Sequence, residues 1–269
     1  MIRSALPAKL GAIWKRDLLT AMRGSLGFGL VVVASVVELA TFYFLARSVG
    51  PNFRPEGIDY FWFLLIGTAF FDLLLSSTRS LVQNLREAQI SGVMEVLMTT
   101  STPAVVIILL QALSGVLTKV GSAALYVVLG VVLFRIQLPT PNLPAVLITL
   151  VLAILLAMSM ALVAAGLQVW LQRGDTATVL LGIVTGFFSG VLFPISVLPD
   201  GLRLMAQLNP FAHALTAFRL ALLRGASLPT LAEPLTILAG WCAVGLPLGF
   251  LIFAFALRRS RSNGSLGFY

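Results

Sequence analysis

The sequence predicts an all-α integral membrane protein: six transmembrane helices, an N-terminal interfacial helix, and a re-entrant outer region between helices five and six. Three observations predict it. The 269 residues are 59% hydrophobic and only 10% charged, whereas soluble domains carry about 25% charged residues. Mean hydropathy is +1.01. Apolar runs recur between charges and Pro/Gly clusters, and several reach the ~20 residues that a bilayer-crossing helix needs. The single cysteine, Cys242, lies inside an apolar run and excludes a disulfide scaffold. A net charge of +8 does not point to nucleic acid. The basic residues sit at the edges of apolar segments, with no cluster interleaved with stacking aromatics.

Residues 1–24 form the interfacial helix. At 100° per residue Leu6, Leu10, Ile13, Trp14, Leu18 and Ala21 share one arc, and Lys9, Arg16, Thr20 and Arg23 the opposite one. Lys15 lies at the edge of the basic arc, and Asp17 falls on the apolar side as an exception. Apolar residues with Trp on one face and cations on the other suit a helix lying in the headgroup plane. The alternative is a plain cytoplasmic tail. A cleavable signal is not expected, because the basic stretch is long and the following apolar run has span length.

The spans are expected at 25–46, 60–81, 104–134, 143–171, 179–198 and 234–257. The third and fourth exceed the bilayer minimum and should tilt or protrude. Residues 82–102 link spans two and three. Asn84, Arg86, Glu87, Ser91 and Glu95 fall in one arc of this link, and Val82, Leu85, Ile90, Val93, Val96 and Leu97 fill the rest, with Gln83 and Gln89 as exceptions. Gly92 weakens a helix there, and Pro103 marks a break before the next. An amphipathic helix showing two carboxylates suits a docked soluble partner; a solvated loop is the alternative. Between spans five and six, Gly186, Gly190, Phe193, Pro194, Pro199 and Pro210 punctuate an apolar stretch, so span five is expected to end in a broken element. Within 199–233, Phe211–Leu223 is too short for another clean span and carries His213 and Arg219. Non-helical backbone at membrane depth survives only inside protein or against a wet cavity. A re-entrant hairpin fits, with a seventh partial span as the competing reading.

Lys and Arg set the orientation. Arg3, Lys9, Lys15, Arg16, Arg23, Arg79, Arg86, Arg173, Arg258, Arg259 and Arg261 outnumber Arg47, Arg54, Arg135, Arg203, Arg219 and Arg224 on the other side. Both termini are therefore expected in the cytoplasm of a bacterial or archaeal cell, with the chain in its plasma membrane.

No phosphate-binding loop is present, and one histidine and one cysteine cannot build a zinc site. No catalytic residue, cofactor or metal is expected. His213 reads as a hydrogen-bonded interfacial residue, Asp200 as a turn former and Cys242 as a packing residue. The ionisable residues within spans are Glu38, Asp72 and Lys119. Charge facing hydrocarbon is costly, so they should face a bundle interior, a cavity or one another. Lys119 paired with Glu38 or Asp72 would be a pathway lining, a gating pair or a structural tie between helices.

Two stretches carry a family resemblance. One is Arg86-Glu87-Ala88-Gln89-Ile90-Ser91-Gly92-Val93-Met94-Glu95, continuing to Pro103; the other is Ser189-Gly190-Val191-Leu192-Phe193-Pro194, then Leu198-Pro199, Asn209-Pro210 and Arg219 onward to Gly225. They resemble the coupling segment and the "S-G-x-x-F-P … N-P … R … G" signature of type-2 ABC exporter permeases, in the drug, lipid and lipo-oligosaccharide branch. The resemblance implies an ATP-driven exporter's membrane subunit. A second permease copy, most simply identical, completes the pathway, and ATP is hydrolysed on a separate ATP-binding-cassette subunit. It implies ATPase coupling at Glu87, Gly92, Glu95, Lys15 and Arg16, an outer gate or pathway at Phe193, Pro194, Pro210 and Arg219, and an amphipathic or glycolipid-like cargo. Membrane lipid is the remaining partner. A lipid-modifying membrane enzyme would need clustered polar groups at one face, and an ion-coupled secondary transporter would need matching broken helices in both halves; neither pattern is found.

Overall fold

The structure, a computed structural model, describes residue 11 and residues 25–50, 52–90, 104–134, 140–171 and 174–262. The interfacial segment 6–23 and most of the 82–102 link, with Lys15, Arg16, Gly92 and Glu95, lie outside the described residues. Among the described residues the elements are eight α-helices and two 3₁₀ turns. The helices are α1 (Ser25–Val49), α2 (Tyr60–Ile90), α3 (Ala104–Phe134), α4 (Leu143–Leu171), α5 (Gly174–Phe188), α6 (Asp200–Leu208), α7 (Pro210–Leu223) and α8 (Ala232–Ser262). Five of them, α1, α2, α3, α4 and α8, are long and apolar enough to cross a membrane. Among the described residues the protein is all-helical, and its long apolar helices make it a multi-pass membrane protein.

The helix starts follow from local chemistry. Asp59 Oδ1 accepts a hydrogen bond from Phe61 N at 3.0 Å and opens α2. Asn142 opens α4, its carbonyl accepting from Val146 N at 2.9 Å and its Oδ1 from Ala145 N at 3.3 Å. Both satisfy amide donors that a helix start leaves orphaned. Chain direction alternates from α1 to α4. Tyr43 of α1 stacks on Phe134 of α3, and Phe134 also meets Phe61 of α2. The end of α3 thus lies beside the end of α1 and the start of α2. This end also holds the end of α7, since Asn142 N donates to Ala221 O.

α4 is the centre of the bundle, packed most extensively on α8 and also on α2 and α7. Small residues make that approach possible. Ala157, Ala161, Ala164 and Ala165 of α4 are buried. On α8, a Cβ at Gly249 would meet Ser159 O at 2.8 Å, and one at Gly245 would meet Ser159 Oγ at 3.0 Å. Lipid is as apolar as leucine, so close backbone contact rather than hydrophobic burial holds such a pair together. α1 and α3 lie outside, exposing Val33, Val37, Phe44, Leu125, Val128 and Val132.

Three places in the observed elements bear on the expected bounds. α2 does not fade at residue 81 but runs unbroken to Ile90. Hydropathy falls there, yet Leu81, Val82 and Leu85 stay buried in one cluster with α4 and α8. The first residues of the 82–102 segment therefore belong to α2. The run expected at 179–198 ends in a broken element, as its glycines and prolines imply, and the helix itself stops at Phe188. Gly190 then takes φ +70° and Pro194 leads into a 3₁₀ turn, Ile195–Val197; apolar composition cannot supply the missing helical geometry. Finally, 199–233 resolves into two short helices, α6 and α7.

Candidate functional site

The segment between α5 and α7 is assembled by its polar residues. Asn209 is the hub. Its Oδ1 accepts from Phe211 N at 3.1 Å, capping α7 with Pro210 in the first turn. Its Nδ2 donates to Thr185 O and to Ser189 Oγ, both at 3.1 Å. The Ser189 hydroxyl in turn donates to Thr185 O. The start of α7 is thereby bound to the end of α5. Pro210 is buried. Pro194 is buried as well, and Phe193 is half-buried, its ring edge-on to Phe187 at 5.5 Å.

Arg219, on α7, is 1% exposed. Its Nη1 donates to Gly190 O at 2.9 Å, and its Nη2 donates to Val191 O and Phe63 O, each at 2.8 Å. The guanidinium also lies 3.5 Å from the Phe63 ring centroid. Five donors in a planar fork suit this task, which a lysine point charge cannot perform. One side chain thus ties three elements: α7, the turn after α5, and the start of α2. Any Cβ at Gly67 would collide with that guanidinium, so only glycine fits on the facing turn of α2. Tyr60 adds a bond from its hydroxyl to Leu192 O at 3.0 Å.

Glu56 completes this end and was not singled out in the sequence. It sits in the 3₁₀ turn Pro55–Gly57 with φ 55°, ψ 21°, a left-handed conformation unusual for a non-glycine residue. Its Oε2 is buried without a hydrogen-bond partner. Burial raises the carboxyl pKa above its ordinary value, and the positive charge of Arg219 partly opposes that rise. The Glu56 carbonyl accepts from Arg224 Nη1 at 3.1 Å.

A second polar group lies midway along the spans. Lys119 Nζ is 3.8 Å from Asp72 Oδ2, and the Ser76 hydroxyl donates to Asp72 Oδ1 at 3.1 Å. Asp72 is about 18 Å from the start of α2 at 1.5 Å per residue. The pair is on the flank of the chain, with side-chain exposures of 44% for Lys119 and 71% for Asp72. Glu38 is exposed on α1. The buried Tyr126 hydroxyl is near Glu38 and Thr68 but outside hydrogen-bond geometry.

Residues 8–223 match the membrane family of the ABC-2 type transporters. The chain belongs to that family. Comparison with curated proteins gave no match. As an ABC-2 transporter subunit it is a transmembrane permease. Asn209 and Arg219 thus hold adjoining residues of the same turn, Asn209 the Ser189 hydroxyl and Arg219 the Gly190 carbonyl. Glu87 is exposed near the opposite end of α2, about 40 Å along the helix from Tyr60. His213 meets Gln207 O at 2.7 Å, and Cys242 is buried with its thiol directed at Leu152 O at 3.3 Å. Asp200 pairs with Arg203 at 3.5 Å rather than closing a turn.

Proposed function

We propose that this ABC-2 permease is the membrane half of an ATP-driven exporter whose pathway is completed by a second, identical copy. The Lys119–Asp72 pair carries the reading. Two opposite charges sit mid-span on an outward flank, beside exposed Glu38. Such charges are too costly to leave against acyl chains and belong in a wet cavity or against protein. A second copy covering that flank relieves the cost and encloses a passage with few polar groups among Phe, Leu and Val. That lining suits an amphipathic, glycolipid-like cargo of the drug, lipid and lipo-oligosaccharide branch.

On this reading α5 and the turn after it make a sixth crossing, so both termini share the cytoplasmic side. The 82–102 segment, through Glu87, Gly92 and Glu95, and the 1–24 segment, through Lys15 and Arg16, then receive a separate ATP-binding-cassette ATPase. Closure of two ATPases would tilt the bundles between packed states, a rigid-body switch. Phe193, Pro194, Pro210 and Arg219 form the outer gate, with Arg219 as its anchor. The test is affinity purification of the tagged protein from its native cells. A nucleotide-binding subunit should co-purify and be lost on combining Glu87→Arg with Glu95→Arg. Retention of that partner by the double variant, with ATP-driven transport intact, overturns the coupling assignment.

A further inference from the structure

A cavity of about 350 Å³ opens where α1 ends and α2 begins, lined by Tyr43, Arg47, Phe53, Asp59, Tyr60 and Phe61 among others. That volume is within the ~300–1,000 Å³ typical of small-molecule sites. The walls are aromatic on two sides. Tyr43 meets Phe61 edge-on at 6.1 Å, and Phe53 meets Tyr60 edge-on at 5.0 Å. The two charges facing the space do not pair with each other. The Arg47 guanidinium rests 5.6 Å from the Tyr43 ring centroid and makes no ion pair among the described residues. Asp59 spends one carboxylate oxygen on the cap of α2 and leaves the other open. Beside the cavity α1 exposes Phe44, and further along the same face Val37 and Val33, an apolar track leading away from a polar pocket.

We infer that this cavity binds the headgroup of a zwitterionic phospholipid, phosphate on Arg47 and ammonium among the rings beside Asp59. Arginine's planar fork matches phosphate oxygens. Aromatic faces and a carboxylate together attract an ammonium group. A ligand carrying both charges, joined by a short two-carbon link, answers both open side chains at once; a simple anion or cation answers one. The rings also stand at a helix end, the level at which aromatic side chains meet headgroups. The acyl chains then run along the exposed face of α1. This inference does not rest on the transport reading.

The test uses the full-length protein, delipidated in a neutral maltoside detergent, with binding followed by native mass spectrometry. The probe is dihexanoylphosphatidylethanolamine below its micellar concentration. Dihexanoylphosphatidylglycerol, which lacks the ammonium, and free O-phosphoethanolamine, which lacks the chains, are the comparators. The expected result is one saturable site per chain, with either comparator about tenfold weaker, the equivalent of one lost charge-assisted contact. Arg47→Gln and Asp59→Asn should each weaken the zwitterionic probe about tenfold at unchanged thermal stability, since both side chains are exposed. Equal binding of phosphatidylglycerol, or insensitivity to Asp59→Asn, overturns the zwitterion assignment. Equal binding of free phosphoethanolamine overturns the lipid assignment. Should either variant fail to fold, the ranking of the three probes on the unaltered protein decides alone.

Discussion

Arg219 shows how one buried charge can be held without a formal partner ion. Three carbonyl oxygens and an aromatic face take the place of a carboxylate at contact distance. Breaking that arrangement leaves buried carbonyls unpaired, which costs far more than losing an exposed contact. Arg219→Lys keeps the charge but loses the fork. It should lower stability in detergent by about 3 kcal/mol, measured as unfolding midpoint, with Arg219→Ala at least as damaging. Glu56 makes a different prediction. Its carboxyl pKa is raised on folding, so the native state holds its proton to higher pH than the unfolded chain does. The stability it contributes is complete below the ordinary value of 4.5 and is lost as pH rises through the folded value. Glu56→Gln should therefore flatten the stability profile between pH 4.5 and neutrality and stabilise the protein at neutral pH. A steeper profile in the variant would refute the burial account. Neither residue's setting was legible in the chain. Phe63 contributes a backbone oxygen, which any residue type could supply, and Glu56 is placed by contacts with residues far away in sequence.

At the level of elements, the apolar runs and the Gly/Pro break after the fifth were legible, whereas the residue at which each helix stops was less so. The bounds of α3 and α4 coincide with their apolar runs, because nothing within those runs opposes a helix. α5 and α2 show where hydropathy misleads. It measures solubility in lipid, whereas helix ends follow from backbone geometry and packing. Gly190 stops a helix inside apolar sequence, and the burial of Leu81, Val82 and Leu85 extends one beyond it. The glycines of α8 had no visible meaning until α4 was placed against them. Gly249→Val should force Ser159 and Leu162 away from α8, whose Cβ would meet them at 2.8 and 3.1 Å. Overpacking of this kind costs about 1–3 kcal/mol. The unfolding midpoint should fall accordingly, while Gly240→Val, where nothing lies within 4 Å, leaves it in place.

At the level of the whole molecule, the two polar groups differ in kind. The Arg219 network is enclosed within one chain; the Lys119–Asp72 pair stands on its flank. If that pair serves the pathway, Lys119→Met and Asp72→Asn should each abolish cargo movement by a reconstituted exporter and leave the unfolding midpoint nearly unchanged. The exchanged variant, Lys119→Asp with Asp72→Lys, should recover part of the activity. Loss of folding in both single variants would make the pair a structural tie instead. The family signature in 189–225 was readable from sequence, and so were the mid-span charges. Which flank they occupy was not, since helical rotation is set by packing. Between Phe63, clasped by Arg219, and Ile90 at the far end, α2 has no glycine or proline break except Gly67 beside the clasp. It is therefore one helix about 40 Å long. If the ATPase docks at its far end as proposed, a push there meets no glycine or proline hinge before it reaches the clasp.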